Sequence, residues 1–417
     1  MIKETKKAPT IRFRGFTDDW EQHKLDNLCL IIDTKHATAP IINEKTSYRM
    51  IRTDCVRNGR LLVENMDSVT KEIYDKWSER IHLKAGDIVF TREAPMGESA
   101  IIPDDGNSYF PGQRIVTIRS KGNVSTLFIN YLIYANEFRR EIRIRDSAAT
   151  TVANFGIPSI KNYVAQLPCV KEQRKIGKYF HQLDNLITLH QRKLDQLKKL
   201  KKYFLQNMFP TKGEKVPRIR FKGFTGDWEQ RKLGEMAESF QYGLNAAAKK
   251  YDGKNKYIRI TDIDDLSHEF LQSNLTSPDT DISQADNYRL NEGNILFART
   301  GASVGKTYIY KHSDGRVYYA GFLIRAKLFK EYAPEFIFQN TLTSKYKRFI
   351  QITSQRSGQP GVNAQEYADY GLMVPSLKEQ KGIGKLLANL DHLITLHQRK
   401  LNQLLTMKKF MLQNLFI

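Results

Sequence analysis

Two segments of the chain repeat apolar residues at alternating steps of four and three, a pattern that indicates coiled-coil helices. They cover residues 171–209 and 378–417, and each follows a proline, Pro168 or Pro375. At about 1.5 Å per residue, each predicted helix is roughly 55 Å long. The predicted seam positions are Ile176, Leu183, Ile187, His190, Leu194, Leu197, Ile383, Leu390, Ile394, His397, Leu401 and Leu404.

A single helix cannot bury its own apolar stripe, so each of these helices needs a partner. The two stripes match, and each helix is therefore the expected partner of the other. Either orientation is possible in principle, because an entire globular segment connects the helices; we expect an antiparallel coiled coil. His190 and His397 lie near the middle of their stripes and would then meet, neutral and hydrogen-bonded, and specify the register.

The remainder of the chain alternates between short strand patterns and helical patterns. Residues 256–260, 294–297 and 317–320 carry the strand pattern, whereas residues 334–349 carry a helical one. These patterns predict an α+β fold for the segments outside the two long helices.

The chain contains an internal repeat. Residues 11–20 return almost unchanged at 219–228, and residues 183–194 return at 390–401 with one change, Asn185 to His392. Matches of this length at a nearly constant offset indicate a tandem duplication with a period of about half the chain. We expect a pseudo-two-fold axis to relate the two copies.

The two copies differ in how well their parts match. The helix and the segment before it are nearly identical, whereas the bodies between them share only a frame, such as residues 85–92 with 292–299. Two halves that dock the same partner but recognise different ligands need such a division. The predicted parts are a repeat segment 1–20, a recognition domain 21–170, a helix 171–209, a linker with the second repeat segment 210–228, a second recognition domain 229–377 and a helix 378–417.

Composition adds a preference for a polyanionic partner. The 417 residues include 66 Lys and Arg against 45 Asp and Glu, which gives a formal net charge of +21. Each cation placed on a phosphate releases a condensed counterion, so this excess favours nucleic acid. Charge alone does not distinguish DNA from RNA or from an acidic membrane surface.

The cysteines and the first residues favour a cytoplasmic location. Cys29, Cys55 and Cys169 are odd in number and far apart, which argues against a disulfide framework or a zinc site. Residues 1–10 have no apolar signal-peptide region, and no uncharged apolar run approaches the length of a membrane span.

Loops that combine small residues with hydrogen-bond donors are the candidate nucleic-acid contacts. Glycine allows a close approach to phosphates, and Arg, Asn and Gln can bond base edges in pairs. The candidate residues are Lys35, His36, Arg92, Thr150, Asn154, Tyr242, Asn245, Arg299, Thr300, Ser303, Lys306, Gln359 and Asn363. For any single residue, a solvated surface loop is an equally good interpretation.

Residues 301–307 resemble a phosphate-binding loop, but three residues separate the glycines where that motif needs four. We also find no methyltransferase, nuclease or HExxH motif. The sequence therefore predicts no catalytic residue and no metal site in this chain.

The repeat resembles the specificity subunit of type I restriction–modification systems. The motifs that carry the resemblance are the Arg-Phe-x-Gly-Phe-Thr-x-Asp-Trp-Glu segment, the Pro-x-x-x-Glu-Gln helix openings at 168–173 and 375–380, and the Gly-Asn-Ile-Leu-Phe-Ala-Arg-Thr-Gly segment at 293–301. The resemblance covers the whole chain. The first body departs at residues 91–95, where Thr-Arg-Glu-Ala-Pro replaces the Arg-Thr-Gly segment.

This resemblance implies that each body recognises one half of a bipartite double-stranded DNA site. The helices would set the distance between the half-sites and dock two methyltransferase subunits that bind S-adenosylmethionine and methylate adenine. A motor–nuclease subunit that uses ATP and Mg²⁺ would join to cleave unmodified DNA. This chain would bind none of these cofactors itself.

Two alternatives from other classes remain at this stage. One is a nucleic-acid-binding specificity subunit of a type II system or of another multi-subunit machine. The other is a stand-alone enzyme built on the loop at residues 301–307.

Overall fold

The computed structural model describes residues 8–35, 37–93, 95–147, 154–355 and 358–417. By their contacts the residues form two units, one comprising the chain up to Leu189 together with Leu401–Ile417, and the other comprising His190–Lys400. The division falls inside two long helices. Each unit combines strands with helices, which confirms the α+β class.

Unit 1 is built around a four-stranded antiparallel sheet with the order β2-β10-β7-β8 in the described part of the chain. The strands of unit 1 as a whole are β1 Glu21–Lys24, β2 Cys29–Asp33, β3 Tyr48–Ile51, β4 Val56–Arg57, β5 Arg60–Leu61, β6 Asp67–Ser68, β7 Ile88–Thr91, β8 Ser99–Ile101, β9 Ser108–Pro111, β10 Ile115–Ser120 and β11 Val164–Leu167. Its helices are α1 Leu25–Leu28, α2 Lys71–Trp77, α3 Thr126–Leu132, α4 Asn136–Ser147 and α5 Ile157–Asn162, with 3-10 turns at Thr53–Cys55 and Val63–Asn65.

Both faces of this sheet are covered, because successive side chains of a strand point to opposite faces. Ile88 and Phe90 of β7 pack in one apolar cluster with Phe128 of α3, whereas Val89 packs in another with Tyr109. All four residues of β7 are therefore buried.

Unit 2 repeats the topology, with the order β13-β20-β17-β18 within the described residues. The strands of unit 2 as a whole are β12 Glu229–Lys232, β13 Ala237–Tyr242, β14 Ala248–Lys250, β15 Lys256–Ile258, β16 Thr276–Pro278, β17 Ile295–Ala298, β18 Thr307–Ile309, β19 Val317–Tyr319, β20 Leu323–Leu328 and β21 Gly371–Val374. Its helices are α7 Pro334–Asn340, α8 Ser344–Thr353 and α9 Ala364–Ala368, with 3-10 turns at Leu233–Met236, Ile260–Asp262, Ile282–Gln284, Asp286–Tyr288, Gly301–Ser303 and His312–Asp314. The duplication seen in the sequence thus extends to strand order.

The stretch predicted to be helical at residues 334–349 is helical, but it is divided between two helices, α7 and α8. Between α7 and α8 the chain turns at Thr341–Thr343, and the Thr343 hydroxyl accepts a hydrogen bond from the Tyr346 amide at 3.4 Å. Threonine at this position caps a new helix start, which ends the periodicity of the previous one.

The two long helices are α6, Val170–Asn207, and α10, Leu377–Asn414. In unit 1 the Phe180 ring stacks on Phe416 at 5.9 Å, and the Lys408 ammonium binds the Asp184 carboxylate at 2.6 Å. From Phe180 to Asp184 the residue number rises along α6, whereas from Phe416 to Lys408 the number of the contacting residue on α10 falls. The two helices are therefore antiparallel. None of the helices in the described residues is both long and apolar enough to cross a membrane.

Candidate nucleic-acid interface

In unit 2, four loops meet beside the end of β17. The Arg299 carbonyl accepts a hydrogen bond from the Val362 amide at 2.9 Å, and the Gly301 amide donates to the Pro360 carbonyl at 3.0 Å. The Arg299 amide donates to the carbonyl of Phe322 at 3.0 Å. The backbone therefore ties the loop after β17 to the 358–363 loop and to the turn before β20.

The fourth loop brings in the aromatic ring of Tyr242. The Arg299 guanidinium lies over this ring, 5.0 Å from its centroid, and the Tyr242 hydroxyl accepts a hydrogen bond from the Ala364 amide at 3.2 Å. A guanidinium held over an aromatic face keeps its charge and its planar set of donors. Arg299, Tyr242 and the loops around them thus form one cluster of donors on the surface of unit 2.

Gly243 is required for this packing. A Cβ atom at residue 243 would lie 2.1 Å from the Ala320 carbonyl oxygen, a distance that no side chain tolerates. The close approach leaves the Leu244 amide bonded to the Tyr319 carbonyl at 2.8 Å. Glycine therefore lets the loop that carries Tyr242 and Asn245 lie directly against the turn before β20.

Three of the predicted contact residues of unit 2 have local partners. The Lys306 ammonium bonds the Ile263 carbonyl at 3.0 Å and the Asp265 carboxylate at 2.5 Å, so it does not reach towards the loop at 301–307 as a phosphate-binding lysine would. Asn363 caps α9 by accepting from the Glu366 amide at 2.9 Å. Thr300 pairs with Gly361 in an isolated bridge.

The other predicted residues of unit 2, Asn245 and Gln359, are exposed, and Ser303 is half-buried in the turn at Gly301–Ser303. Contact of all these residues with nucleic acid stays a prediction.

Unit 1 has the same backbone frame with different side chains. The Arg92 amide donates to the Arg114 carbonyl at 3.0 Å, and the Arg92 carbonyl accepts from the Phe155 amide at 2.8 Å. The mostly buried Arg92 guanidinium lies 3.5 Å from the Asp33 carboxylate. Asn154 donates to the Glu93 carboxylate at 3.1 Å.

The remaining predicted residues of unit 1 fall in two groups. Lys35 lies 5.3 Å from the centroid of the Trp77 ring, and its ammonium bonds the Glu79 carboxylate at 3.2 Å. His36 and Thr150 lie outside the described residues, as do their neighbours at 151–153.

Sequence reasoning missed Arg114 and Phe322. Arg114 directly precedes β10 and Phe322 directly precedes β20, equivalent inner strands of the two sheets, and the carbonyl of each accepts a hydrogen bond from the amide of Arg92 or Arg299. The side chain of Arg114 is 55% exposed, and Phe322 is 56% exposed. The signal for this position is an exposed phenylalanine beside the loop that carries Arg299. It becomes visible only in the fold, because the sequence alone does not place the turn beside that loop.

The helix seam is largely buried. Nine of the ten predicted apolar seam residues are buried, and Ile394 is half-buried. The buried ones are Ile176, Leu183, Ile187, Leu194, Leu197, Ile383, Leu390, Leu401 and Leu404.

His190 and His397, both in unit 2, meet as expected from the repeat, with their Nδ1 atoms 2.9 Å apart. One ring must donate and the other accept. Burial, and then the nearby charges of His190 and Lys193, lower the pKa of His397.

Equivalent charged pairs flank the seam in the two units. In unit 1 the Asp184 carboxylate binds Lys408 and also accepts from the Tyr131 hydroxyl at 2.9 Å. Burial, and then Asp184, raise the pKa of Tyr131, which therefore keeps its proton. In unit 2 Lys201 binds the Asp391 carboxylate, to which the Gln339 amide donates at 2.6 Å. Each pair therefore joins the two long helices to the helix that follows the sheet in the chain, α3 in unit 1 and α7 in unit 2.

Each unit also carries exposed apolar side chains on its parts of the two long helices. Unit 1 has Leu186, Leu189, Met407 and Phe410, and unit 2 has their equivalents by the repeat, Leu393, Leu396, Leu200 and Tyr203, all of them 40–63% exposed. A group of large apolar side chains on a surface marks an interaction site more often than isolated ones do.

The segments repeated before each body are held in the same way. The Arg12 guanidinium makes two bonds of 2.8 Å to the buried Glu172 carboxylate, and Arg220 bonds Glu379 at 2.7 and 2.8 Å. Among the described residues, no three His, Cys, Asp or Glu side chains are placed to hold a metal ion.

A duplicated α+β frame, with a donor-rich loop cluster that differs between the copies and helices that are the same in both, defines a two-part recognition protein. The family model of the type I restriction modification DNA specificity domain matches residues 17–199 and again 225–406. The chain belongs to this family, and it is a DNA sequence-recognition subunit of the type I class. This assignment does not favour the type II alternative.

Curated relatives agree with the family assignment, and a solved structure has the same fold. The chain is 22% identical to a putative type I restriction enzyme MjaX specificity subunit of Methanocaldococcus jannaschii. The alignment of 407 residues covers 94% of this chain and 91% of the relative. It is 20% identical to the EcoKI specificity subunit of Escherichia coli, over 80% of this chain and 73% of that one. The type I S subunit of M. genitalium has the same fold, with a TM-score of 0.66 at 14% identity, covering 98% and 99% of the two chains.

Proposed function

We propose that each unit recognises one half of an asymmetric, bipartite DNA sequence. The observation that carries the proposal is the contrast between the two units. Their sheets have the same strand order and the same loop-to-turn hydrogen bonds, whereas the side chains at the loops differ. A common frame with different donors presents two different patterns to base edges, which is what recognition of two unlike half-sites requires.

The shared surfaces fit two copies of one partner, which we take to be a methyltransferase subunit. The two units carry equivalent exposed apolar side chains on the long helices, and the repeat segments are held by equivalent Arg–Glu pairs. A surface that occurs twice binds the same protein twice. A motor–nuclease subunit joins this assembly in the cytoplasm, where the DNA is.

The chemistry then belongs to the partners. We propose that the chain is not itself catalytic and binds no cofactor. S-adenosylmethionine serves the methyltransferase subunits, and ATP with Mg²⁺ serves the motor–nuclease. The contacts of Lys306 support this division, since its ammonium is bonded to the Ile263 carbonyl and the Asp265 carboxylate, whereas a phosphate-binding loop uses its lysine to bind the phosphate.

The test is to express the chain with the modification subunit of its own host in a strain without adenine methylation, and to map methylated adenines across the genome. We expect a single motif with two unlike half-sequences and a gap of constant length. Exchange of residues 21–170 for the same segment of another family member should change one half-sequence and leave the other intact. A palindromic motif, or no motif that depends on the chain, contradicts the proposal.

A further inference from the structure

The turns before β10 and β20, equivalent inner strands of the two sheets, each present one exposed side chain at the same place. In unit 1 this residue is Arg114, directly before β10, and in unit 2 it is Phe322, directly before β20. Each carbonyl accepts a 3.0 Å hydrogen bond from the amide of the arginine that follows the neighbouring strand, Arg92 or Arg299. The two positions are therefore equivalent, and they carry side chains of opposite character.

Phe322 is unusual for its exposure. It is 56% exposed, although burial of a phenylalanine is favoured by roughly 1.5–3 kcal/mol. The turn that carries it is fixed from both sides, by Arg299 and by the loop at Gly243, whose amide donates to the Leu323 carbonyl at 3.0 Å. The backbone of Phe322 is thus bonded directly to that of Arg299, whose guanidinium lies over Tyr242, so the turn belongs to the loop cluster that carries the predicted DNA contacts.

Arg114 is held out in a different way. Its backbone has φ of 68°, in the left-handed region that an arginine rarely adopts. Its Nε atom bonds the Glu93 carboxylate at 2.7 Å, which also accepts from Asn154, while the side chain remains 55% exposed. Strain of this kind persists where the surroundings impose it, and it is concentrated at binding sites.

We propose that these two residues occupy one base-reading position of the frame, with Arg114 contacting guanine in one half-site and Phe322 contacting the methyl group of thymine in the other. The inference rests on the proposed function. Guanine offers the two acceptors that an arginine binds as a pair, and thymine offers the apolar methyl group that a phenylalanine can contact. A change from Arg to Phe at a fixed point of the frame thus changes the preferred base without changing the fold.

The experiment uses the full chain together with the modification subunit of its host. Four single variants are compared by mapping methylated adenines: Arg114→Ala and Phe322→Ala, with Lys121→Ala and Phe329→Ala as matched controls. Lys121 and Phe329 follow the far ends of β10 and β20, and Phe329 is 41% exposed, so each control removes a similar side chain away from the loop cluster. Thermal melting of each variant checks that the fold is retained.

We expect Arg114→Ala to relax one guanine in one half-site, and Phe322→Ala to relax one thymine in the other half-site. Each loss of preference should be about tenfold or more at that base. The remaining bases, the gap and both control variants should keep the motif of the unchanged chain.

Other outcomes overturn the inference. An intact motif in both variants, a uniform drop in methylation without a change of motif, or a change in the same half-site would each show that these residues do not have this role. Failure of the proposed function is distinct, because then the unchanged chain directs no bipartite motif at all.

Discussion

His190 and His397 are polar residues in an otherwise apolar seam, and their contact depends on protonation. At an Nδ1–Nδ1 distance of 2.9 Å, one ring donates and the other accepts. When both rings are protonated, both Nδ1 atoms carry hydrogen, so the bond is lost and the charges repel. Lys193 adds a further positive charge near His397.

The pair should therefore make folding pH-dependent. The pKa of His397 in the folded protein lies below its ordinary value of 6.5, so the unfolded chain binds the proton first as the pH falls. The stability contributed by this group is complete above about pH 6.5 and is lost as the pH falls through the folded pKa.

We expect replacement of both histidines by leucine to raise the stability at pH 7 by on the order of 1 kcal/mol and to flatten the pH dependence below 6.5. The loss of the polar contact should also allow other registers. Thermal melting between pH 5.5 and 8 measures the first effect, and the gap in the methylated motif measures the second. Identical melting curves for both proteins at every pH would show that the pair has no such role.

Gly243 makes a residue-scale prediction of a different kind. A Cβ atom at position 243 has no room, so Gly243→Ala must displace the loop from Ala320. Such overpacking costs about 1–3 kcal/mol, and it also moves Tyr242 away from Arg299. Gly371→Ala is the control, because this residue begins β21, outside the four loops, and its Cβ atom would meet only the side-chain nitrogen of Gln230, at 3.6 Å. We expect weaker binding of DNA in a gel-shift assay for the first variant alone; equal affinities would contradict the importance of this loop.

At the scale of elements, the long helices are locked in register by charged pairs. Asp184 binds Lys408, and Asp391 binds Lys201. The repeat makes these pairs equivalent, with one in each unit. Removal of one partner from a pair of this kind leaves a partly buried charge without its counterion, which is strongly destabilising. The helices should therefore resist any change of length that affects only one of them.

A heptad inserted after Leu194 alone would separate Asp184 from Lys201 along α6, without a matching change between Asp391 and Lys408 on α10. One charged pair must then break. Heptads inserted after both Leu194 and Leu401 would keep both pairs.

We expect only the paired insertion to retain activity and to lengthen the gap of the motif. The change is about 10 Å along the helix, or about three base pairs. Methylation mapping of the single and the paired insertions distinguishes these outcomes. An unchanged gap in the paired variant would mean that the helices do not set the spacing.

At the scale of the whole molecule, the charge determines how binding depends on salt. A formal net charge of +21 provides many cations for phosphate contacts. The affinity of the assembled complex for its site should fall on a log–log plot against salt with a slope of about −0.9 per phosphate contact. Fluorescence anisotropy with a duplex that carries the mapped motif measures this slope. Affinity that stays constant between low and moderate salt would be incompatible with binding through phosphates.

The sequence by itself determined the duplication, the two long helices and the division into shared and divergent parts. These features are local or periodic: a heptad stripe follows from residue spacing, and a repeat follows from direct comparison of two segments. The meeting of His190 with His397 followed from the same symmetry, once an antiparallel pair was assumed. The split of the 334–349 segment into two helices did not follow, because the side-chain capping by Thr343 overrode the apolar period.

The tertiary structure decided between the two orientations of the helices that were possible in principle, and confirmed the expected antiparallel one. It alone decided the composition of the loop clusters. Arg299, Tyr242 and Phe322 are distant in sequence and meet because the strand order places their loops at the same end of one sheet. Only the structure shows that the side chains of Lys306 and Asn363 bond neighbours within unit 2, and their contact with nucleic acid stays a prediction. Long-range packing of this kind depends on which strands pair, and no local pattern of residues encodes that choice uniquely.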